Sequence, residues 1–147
     1  NLIITRTFSK AYGLAGLRIG YAVSHPDIAD LLNRVRHPFN VNSLGLVAAE
    51  AALQDDAYID KSRELNKQSL QQLASGFEKL ALSYIPSAGN FISLNVGEKA
   101  ADIYTKLLHE AVIVRPIAGY NMPDYLRVSV GLAEENEVLL SALKKVI

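Results

Sequence analysis

The chain has no cysteine, no tryptophan and a single methionine, Met122. Without thiols it can form no disulfide framework and no thiolate metal site, and the lack of cysteine fits a reducing, cytoplasmic setting. Charge of one sign is also lacking, because fifteen Lys and Arg balance fifteen Asp and Glu. No basic block stands out, so a nucleic-acid partner is not expected. No apolar run approaches the ~20 residues needed to span a bilayer and nothing reads as a secretory signal, so no membrane partner is expected. His25, His37 and His109 lie too far apart for metal-ligand spacing, and no metal site is expected. Gly13, Gly16 and Gly20 do not make G-x-G-x-x-G, and G-x-x-x-x-G-K-[ST], G-x-S-x-G and H-E-x-x-H are all absent. Ser141-Ala-Leu-Lys144 matches S-x-x-K without its partner motifs and is read as chance.

What is present is a 147-residue chain, half of it apolar, which suits one domain or part of a larger one. Its most informative stretch is Thr7-Phe8-Ser9-Lys10, at the end of the apolar run Leu2-Ile3-Ile4. A glycine-studded turn follows, and Arg18 then opens a second apolar run, Ile19-Gly-Tyr-Ala-Val23. A lysine held out of bulk water loses its proton more easily and can attack a carbonyl, as Schiff-base chemistry requires. The hydroxyls of Thr7 and Ser9 and the guanidinium of Arg18 are donors for a nearby anion. Together they point to a phosphorylated aldehyde cofactor, pyridoxal 5'-phosphate.

Periodicity divides the chain into alternating elements. Leu2–Arg6 and Arg18–Ser24 read as short buried strands. Pro26 opens a helix with Ile28, Leu31, Leu32 and Val35 on one face. Asn42 or Ser43 caps an alanine-rich helix over Leu44–Leu53. Asp55-Asp56 start a long helix to about Leu82, with Leu70, Leu73, Phe77 and Leu80 facing a core and Lys61, Arg63, Glu64 and Lys67 facing solvent. Strands are expected at Tyr84–Pro86, Phe91–Val96, Val112–Arg115 and Leu126–Val130. A helix over Ala100–Glu110 would bury Ile103, Leu107 and Leu108, and a closing helix spans Glu134–Val146. Acids in the first turn of that last helix and Lys144-Lys145 in its last turn suit its dipole. The fold class is α/β.

Near the C-terminus, alternation in Leu126-Arg127-Val128-Ser129-Val130 puts the apolar residues on one face and Arg127 with Ser129 on the other. An arginine in so apolar a strand needs an anion or a carboxylate. Either a ligand or a salt bridge to Glu134 or Glu135 would supply it. Arg115 is a second candidate for the anion, and Asn90, beside a tight glycine turn, is either a turn former or a cleft residue.

The block Ser9-Lys-Ala-Tyr-Gly-Leu-Ala-Gly-Leu-Arg-Ile-Gly-Tyr21 resembles the lysine region of the fold-type-I pyridoxal-phosphate aminotransferases. In that family an arginine eight residues after the lysine binds the cofactor phosphate, and Lys10 and Arg18 have that spacing. The likeness continues through Arg34–Ser43, Pro86–Phe91, Val114–Pro123 and Leu126–Gly131, and so covers essentially the whole chain in order. Within the family it is most similar to the histidinol-phosphate aminotransferases, where two arginines spaced nearly as Arg115 and Arg127 bind the substrate phosphate. The resemblance implies that Lys10 carries the cofactor and moves protons, and that Thr7, Ser9 and Arg18 anchor its phosphate. It further implies that Arg115, Arg127 and Asn90 line the substrate site.

The implied reaction is transamination of histidinol phosphate with 2-oxoglutarate, giving imidazole acetol phosphate and glutamate. An aromatic amino acid aminotransferase is the near alternative, and a non-catalytic partner-binding fragment is the alternative of another class. The chain opens on Asn1 in mid-strand, and the expectation is the C-terminal portion of a longer homodimeric enzyme. Residues 1–42 would end the cofactor-binding large domain, and 43–147 would form the small α/β domain. The upstream part of the protein would supply the groups that hold the cofactor ring, so the piece alone is expected to be inactive.

Overall fold

The computed structural model describes residues 2–147, and Asn1 lies outside them. Among the described residues six strands and five α-helices follow in the order β1 (Ile3–Thr7), β2 (Gly20–Ser24), α1 (Pro26–Val35), α2 (Ser43–Ala52), α3 (Asp56–Lys79), β3 (Tyr84–Ile85), β4 (Phe91–Asn95), α4 (Ala100–His109), β5 (Arg115–Pro116), β6 (Tyr125–Ser129) and α5 (Ala133–Val146). The chain divides into two compact units, Asn1–Arg63 and Glu64–Ile147, and the division falls inside α3. The physical reason lies in α2, whose Ala49 packs with Phe8 and Ile19 from the first strands.

In the first unit β1 and β2 form an antiparallel ladder from Ile3↔Ser24 to Thr7↔Gly20. Its last rung needs a glycine: a Cβ on Gly20 would stand 2.6 Å from the Arg6 carbonyl oxygen. Pro26 sits in the first turn of α1, where its missing N–H costs nothing, and the His25 imidazole accepts from the Asp27 N–H at 3.4 Å. Asn42 caps α2 by accepting from the Gly45 N–H at 2.7 Å. The expectation that the two strands are buried is corrected. Among the described residues they pair only with each other, and the side chains of Ile3, Ile4, Tyr21 and Val23 are exposed. Burial begins at the end of the ladder, at Phe8 and Ile19, where α2 supplies a second layer. The apolar stripe of α1 is open as well, with Leu31, Leu32 and Val35 exposed.

The second unit is an antiparallel sheet in the order β3-β4-β6-β5. Ile92↔Val128 and Leu94↔Leu126 are direct partners of β4 and β6, and all four side chains are buried. Leu73 and Phe77 of α3, Ile103 and Leu107 of α4, and Leu139, Ala142 and Leu143 of α5 complete that core. Each such large side chain contributes about 1.5–3 kcal/mol of burial. The sheet's other face carries Phe91, Ser93, Arg127 and Ser129, as period-two alternation requires.

Two local expectations change here. Leu108 is exposed, because Ile103 and Leu107, four residues apart, occupy the core-facing stripe and Leu108 lies about 100° further round the helix. The strand expected over Val112–Arg115 narrows to Arg115–Pro116. Val112 and Val114 still bury their side chains while Ile113 is exposed, so the alternation survives where the ladder does not. An open cavity of ≈ 240 Å³ lies there, lined by Val112–Val114, Val128–Gly131, Glu135, Asn136 and Leu139.

Candidate functional site

The lysine segment is a knot of short hydrogen bonds at one end of the β1–β2 ladder. Phe8 donates its N–H to the Ile19 carbonyl at 3.1 Å and accepts from the Leu14 N–H at 2.9 Å. Phe8 is thus anchored by backbone on both sides and by burial of its ring against Tyr12. Ser9 and Lys10 bend away from it, and a turn closed by Gly13 N–H to the Lys10 carbonyl at 2.9 Å returns the chain. The Ser9 N–H donates to Thr7 Oγ1 at 3.1 Å. Because Thr7 pairs with Gly20, Ser9, Lys10 and Arg18 all emerge beyond the same end of the ladder. Lys10 and Arg18 are both exposed.

Arg18 has φ +53° and ψ +48°, a left-handed conformation that a side-chain-bearing residue rarely adopts. Two side-chain bonds hold it. Its own Nη1 donates to the Ala15 carbonyl at 2.8 Å, and Asn42 Nδ2 donates to the Leu17 carbonyl at 2.9 Å. Asn42 therefore caps α2 with its oxygen and fixes the peptide before Arg18 with its nitrogen. A non-glycine residue kept in a strained conformation by surrounding bonds is a common device at ligand sites. The hydroxyls of Thr7 and Ser9, the Arg18 guanidinium and the Lys10 amine form a donor set that fits a phosphorylated aldehyde.

The second unit holds the arginine station. Arg115 of β5 and Arg127 of β6 are direct cross-strand partners, and Ser93 of β4 lies opposite Arg127 on its other side. Among the described residues neither arginine makes an ion pair. The salt bridge to Glu134 or Glu135 that would have given Arg127 a structural role is not formed. Glu135 instead accepts from the Leu132 N–H at 2.7 Å and caps α5. Arg127 Nε is shut off from solvent and has no hydrogen-bond partner. Its guanidinium carbon lies 5.0 Å from the centre of the Phe91 ring. Asn90, one residue before that ring, is exposed, and its carbonyl accepts from the Val130 N–H at 2.9 Å. Asn66 of α3 steadies the turn before it by donating to the Gly89 carbonyl at 3.1 Å.

Like charges directly opposite on a ladder are unfavourable unless an anion joins them. This arrangement suits a multivalent oxyanion. Among the described residues no cluster of side chains could hold a metal ion, and no helix is long and apolar enough to cross a membrane.

A family profile described as aminotransferase class I and II matches residues 1–143. The chain belongs to that aminotransferase family. Histidinol-phosphate aminotransferase 1 of Idiomarina loihiensis is 59% identical over 145 residues, which is 99% of this chain and 40% of that protein. Histidinol-phosphate aminotransferase 2 of Haemophilus influenzae is 60% identical over the whole chain and again 40% of its own length. Among solved aminotransferases, the histidinol-phosphate aminotransferase of Sinorhizobium meliloti in complex with pyridoxal 5'-phosphate superimposes with a TM-score of 0.89 at 34% identity. That match covers 99% of this chain and 41% of the other. The chain thus spans about 40% of the length of the aminotransferases it matches.

Three contributors were not legible as site residues in the sequence. Asn42 was visible only as a helix cap, although a side-chain amide can cap with one atom and hold a loop with the other. Phe91 was visible only as a strand start, because its placement beside Arg127 depends on the β4–β6 register. Asn136, buried in the first turn of α5, gave no signal at all.

Proposed function

We propose that this chain is part of a pyridoxal-phosphate-dependent aminotransferase that converts histidinol phosphate and 2-oxoglutarate to imidazole acetol phosphate and glutamate. The observation that carries the reading is the Arg115–Arg127 pair, direct cross-strand partners of which neither makes an ion pair among the described residues. A phosphate ester, with charge near −2, matches two forks better than a single carboxylate does. The names of relatives about 60% identical to the chain support the same substrate.

Pyridoxal phosphate would supply the electron sink for a carbanion next to nitrogen. Lys10 Nζ is the atom that would hold it, and once freed it would take the proton from the substrate's amine-bearing carbon and deliver one in return. Thr7, Ser9 and Arg18 would bind the cofactor's phosphate group, with Asn42 keeping Arg18 in its left-handed conformation. Arg115 and Arg127 would grip the substrate's phosphate, and Asn90 would line the cleft. The reading includes a cytoplasmic homodimer. It also expects no turnover from the 147-residue chain alone, whose β1–β2 apolar side chains are exposed.

The test is glutamate formation by the full-length protein supplied with pyridoxal phosphate, histidinol phosphate and 2-oxoglutarate. Turnover with histidinol phosphate far above that with phenylalanine or tyrosine supports the reading. Equal efficiency would favour an aromatic amino acid aminotransferase, and no turnover of either substrate would overturn both.

A further inference from the structure

The Arg127 guanidinium is held by aromatic contact where a hydrogen bond would be expected. We propose that Phe91 is a positioning residue for the anion grip: its ring is the platform that presents Arg127 edge-on to the substrate's phosphate. This rests on the reading of Arg115 and Arg127 given above.

Phe91 pairs with Ser129 on the β4–β6 ladder, two positions from Arg127, so the two side chains are diagonal neighbours on one face of the sheet. The guanidinium carbon lies 5.0 Å from the ring centre, within cation–π range. Nε is closed to solvent and unbonded, and among the described residues Arg127 makes no ion pair. A guanidinium donates only in its own plane. With the ring covering one side of the group, an anion is met from the open side, where a guanidinium offers two parallel N–H groups to two oxygens. Arg115, directly opposite on β5, adds the second positive charge. Phe91 itself is about 38% exposed, at the surface of the unit and not in its core. Its packing role is correspondingly small, and a change there should act through Arg127.

The test uses the full-length, cofactor-loaded protein. Phe91→Leu and Phe91→Met keep apolar cover but remove the aromatic face. Both should raise KM for histidinol phosphate about three- to fivefold, the size of a half-exposed cation–π contact, with kcat within about twofold. Phe91→Tyr should restore the KM. The Arg127 Nε resonance, followed by nitrogen-15 NMR, should move on adding inorganic phosphate to the unaltered protein, and should need several-fold more phosphate in the Leu variant. If Phe91→Leu leaves KM and the phosphate titration unchanged while Arg127→Ala raises KM strongly, the platform role is overturned and the anion grip stands. If Arg127→Ala also leaves KM unchanged, the grip itself fails. A KM raised equally in the Leu and Tyr variants would reduce Phe91 to plain packing and overturn the inference.

Discussion

Arg115 and Arg127 face each other directly across the β5–β6 ladder with no acid between them. Like charges so placed cost roughly 0.2–1 kcal/mol in the absence of an anion. Arg115→Gln should therefore leave the anion-free protein as stable or slightly more stable in urea. The same change should raise KM for histidinol phosphate at least tenfold, with a smaller loss for an amino donor bearing one carboxylate. Equal losses for the two donors would make Arg115 a structural residue.

Lys10 carries the most categorical expectation. Lys10→Ala and Lys10→Arg in the full-length protein should both abolish transamination and the visible absorbance of lysine-bound cofactor. Arginine keeps the charge but stays protonated and cannot condense with the aldehyde. Transamination retained in either variant would remove Lys10 from the mechanism.

Asn42 and Arg18 should act together on cofactor affinity. Arg18→Ala removes a charge-assisted partner and should weaken pyridoxal phosphate binding by about 2–4 kcal/mol. Asn42→Ala frees the Leu17 carbonyl and uncaps α2, so it should cost ~1 kcal/mol of stability and a lesser part of the affinity. In the double variant the affinity losses should be less than additive if Asn42 acts on the cofactor through Arg18. Cofactor titration by fluorescence measures all three.

Asn136 is the buried fastening behind the arginine strand. Only 2% exposed, it accepts from the Gly131 N–H at 3.1 Å and donates to Gln72 Oε1 at 2.9 Å and to the Gly131 carbonyl at 3.3 Å. Asn136→Ala leaves those groups unpaired and should lower stability by about 2–3 kcal/mol in chemical denaturation. Loss below about 0.5 kcal/mol would mean that water replaces the amide.

Tyr84 donates its hydroxyl to Glu78 Oε1 at 2.9 Å, and this bond to a carboxylate, with partial burial and the charge of Glu78, raises its pKa above the ordinary tyrosine value. The folded protein thus holds the Tyr84 proton more tightly than the unfolded chain. The contact stabilises fully below the unfolded tyrosine pKa and is lost as pH rises through the higher folded one. Spectroscopic titration should show one of the seven tyrosines ionising late, and Glu78→Gln should bring it back toward the others.

By itself the sequence determined the order and type of nearly every element, because each depends on local pattern. Phe77 and Leu73 mark a helical stripe, Leu126 and Val128 alternate, Asn42 precedes a helix, and the spacing of Lys10 and Arg18 carries the family resemblance. These features depend on residues a few positions apart in the chain. Only the tertiary structure decided which side chains become neighbours over long separations. Register sets Arg115 against Arg127 and Phe91 beside them, and a single amide, Asn42 Nδ2, reaches back twenty-five residues to Leu17. Burial likewise follows partners: apolar side chains are solvent-exposed in β1 and β2, which among the described residues pair only with each other, and closed in β4 and β6, which three helices cover. A pattern specifies which face is apolar, but only packing decides whether that face has anything to pack against.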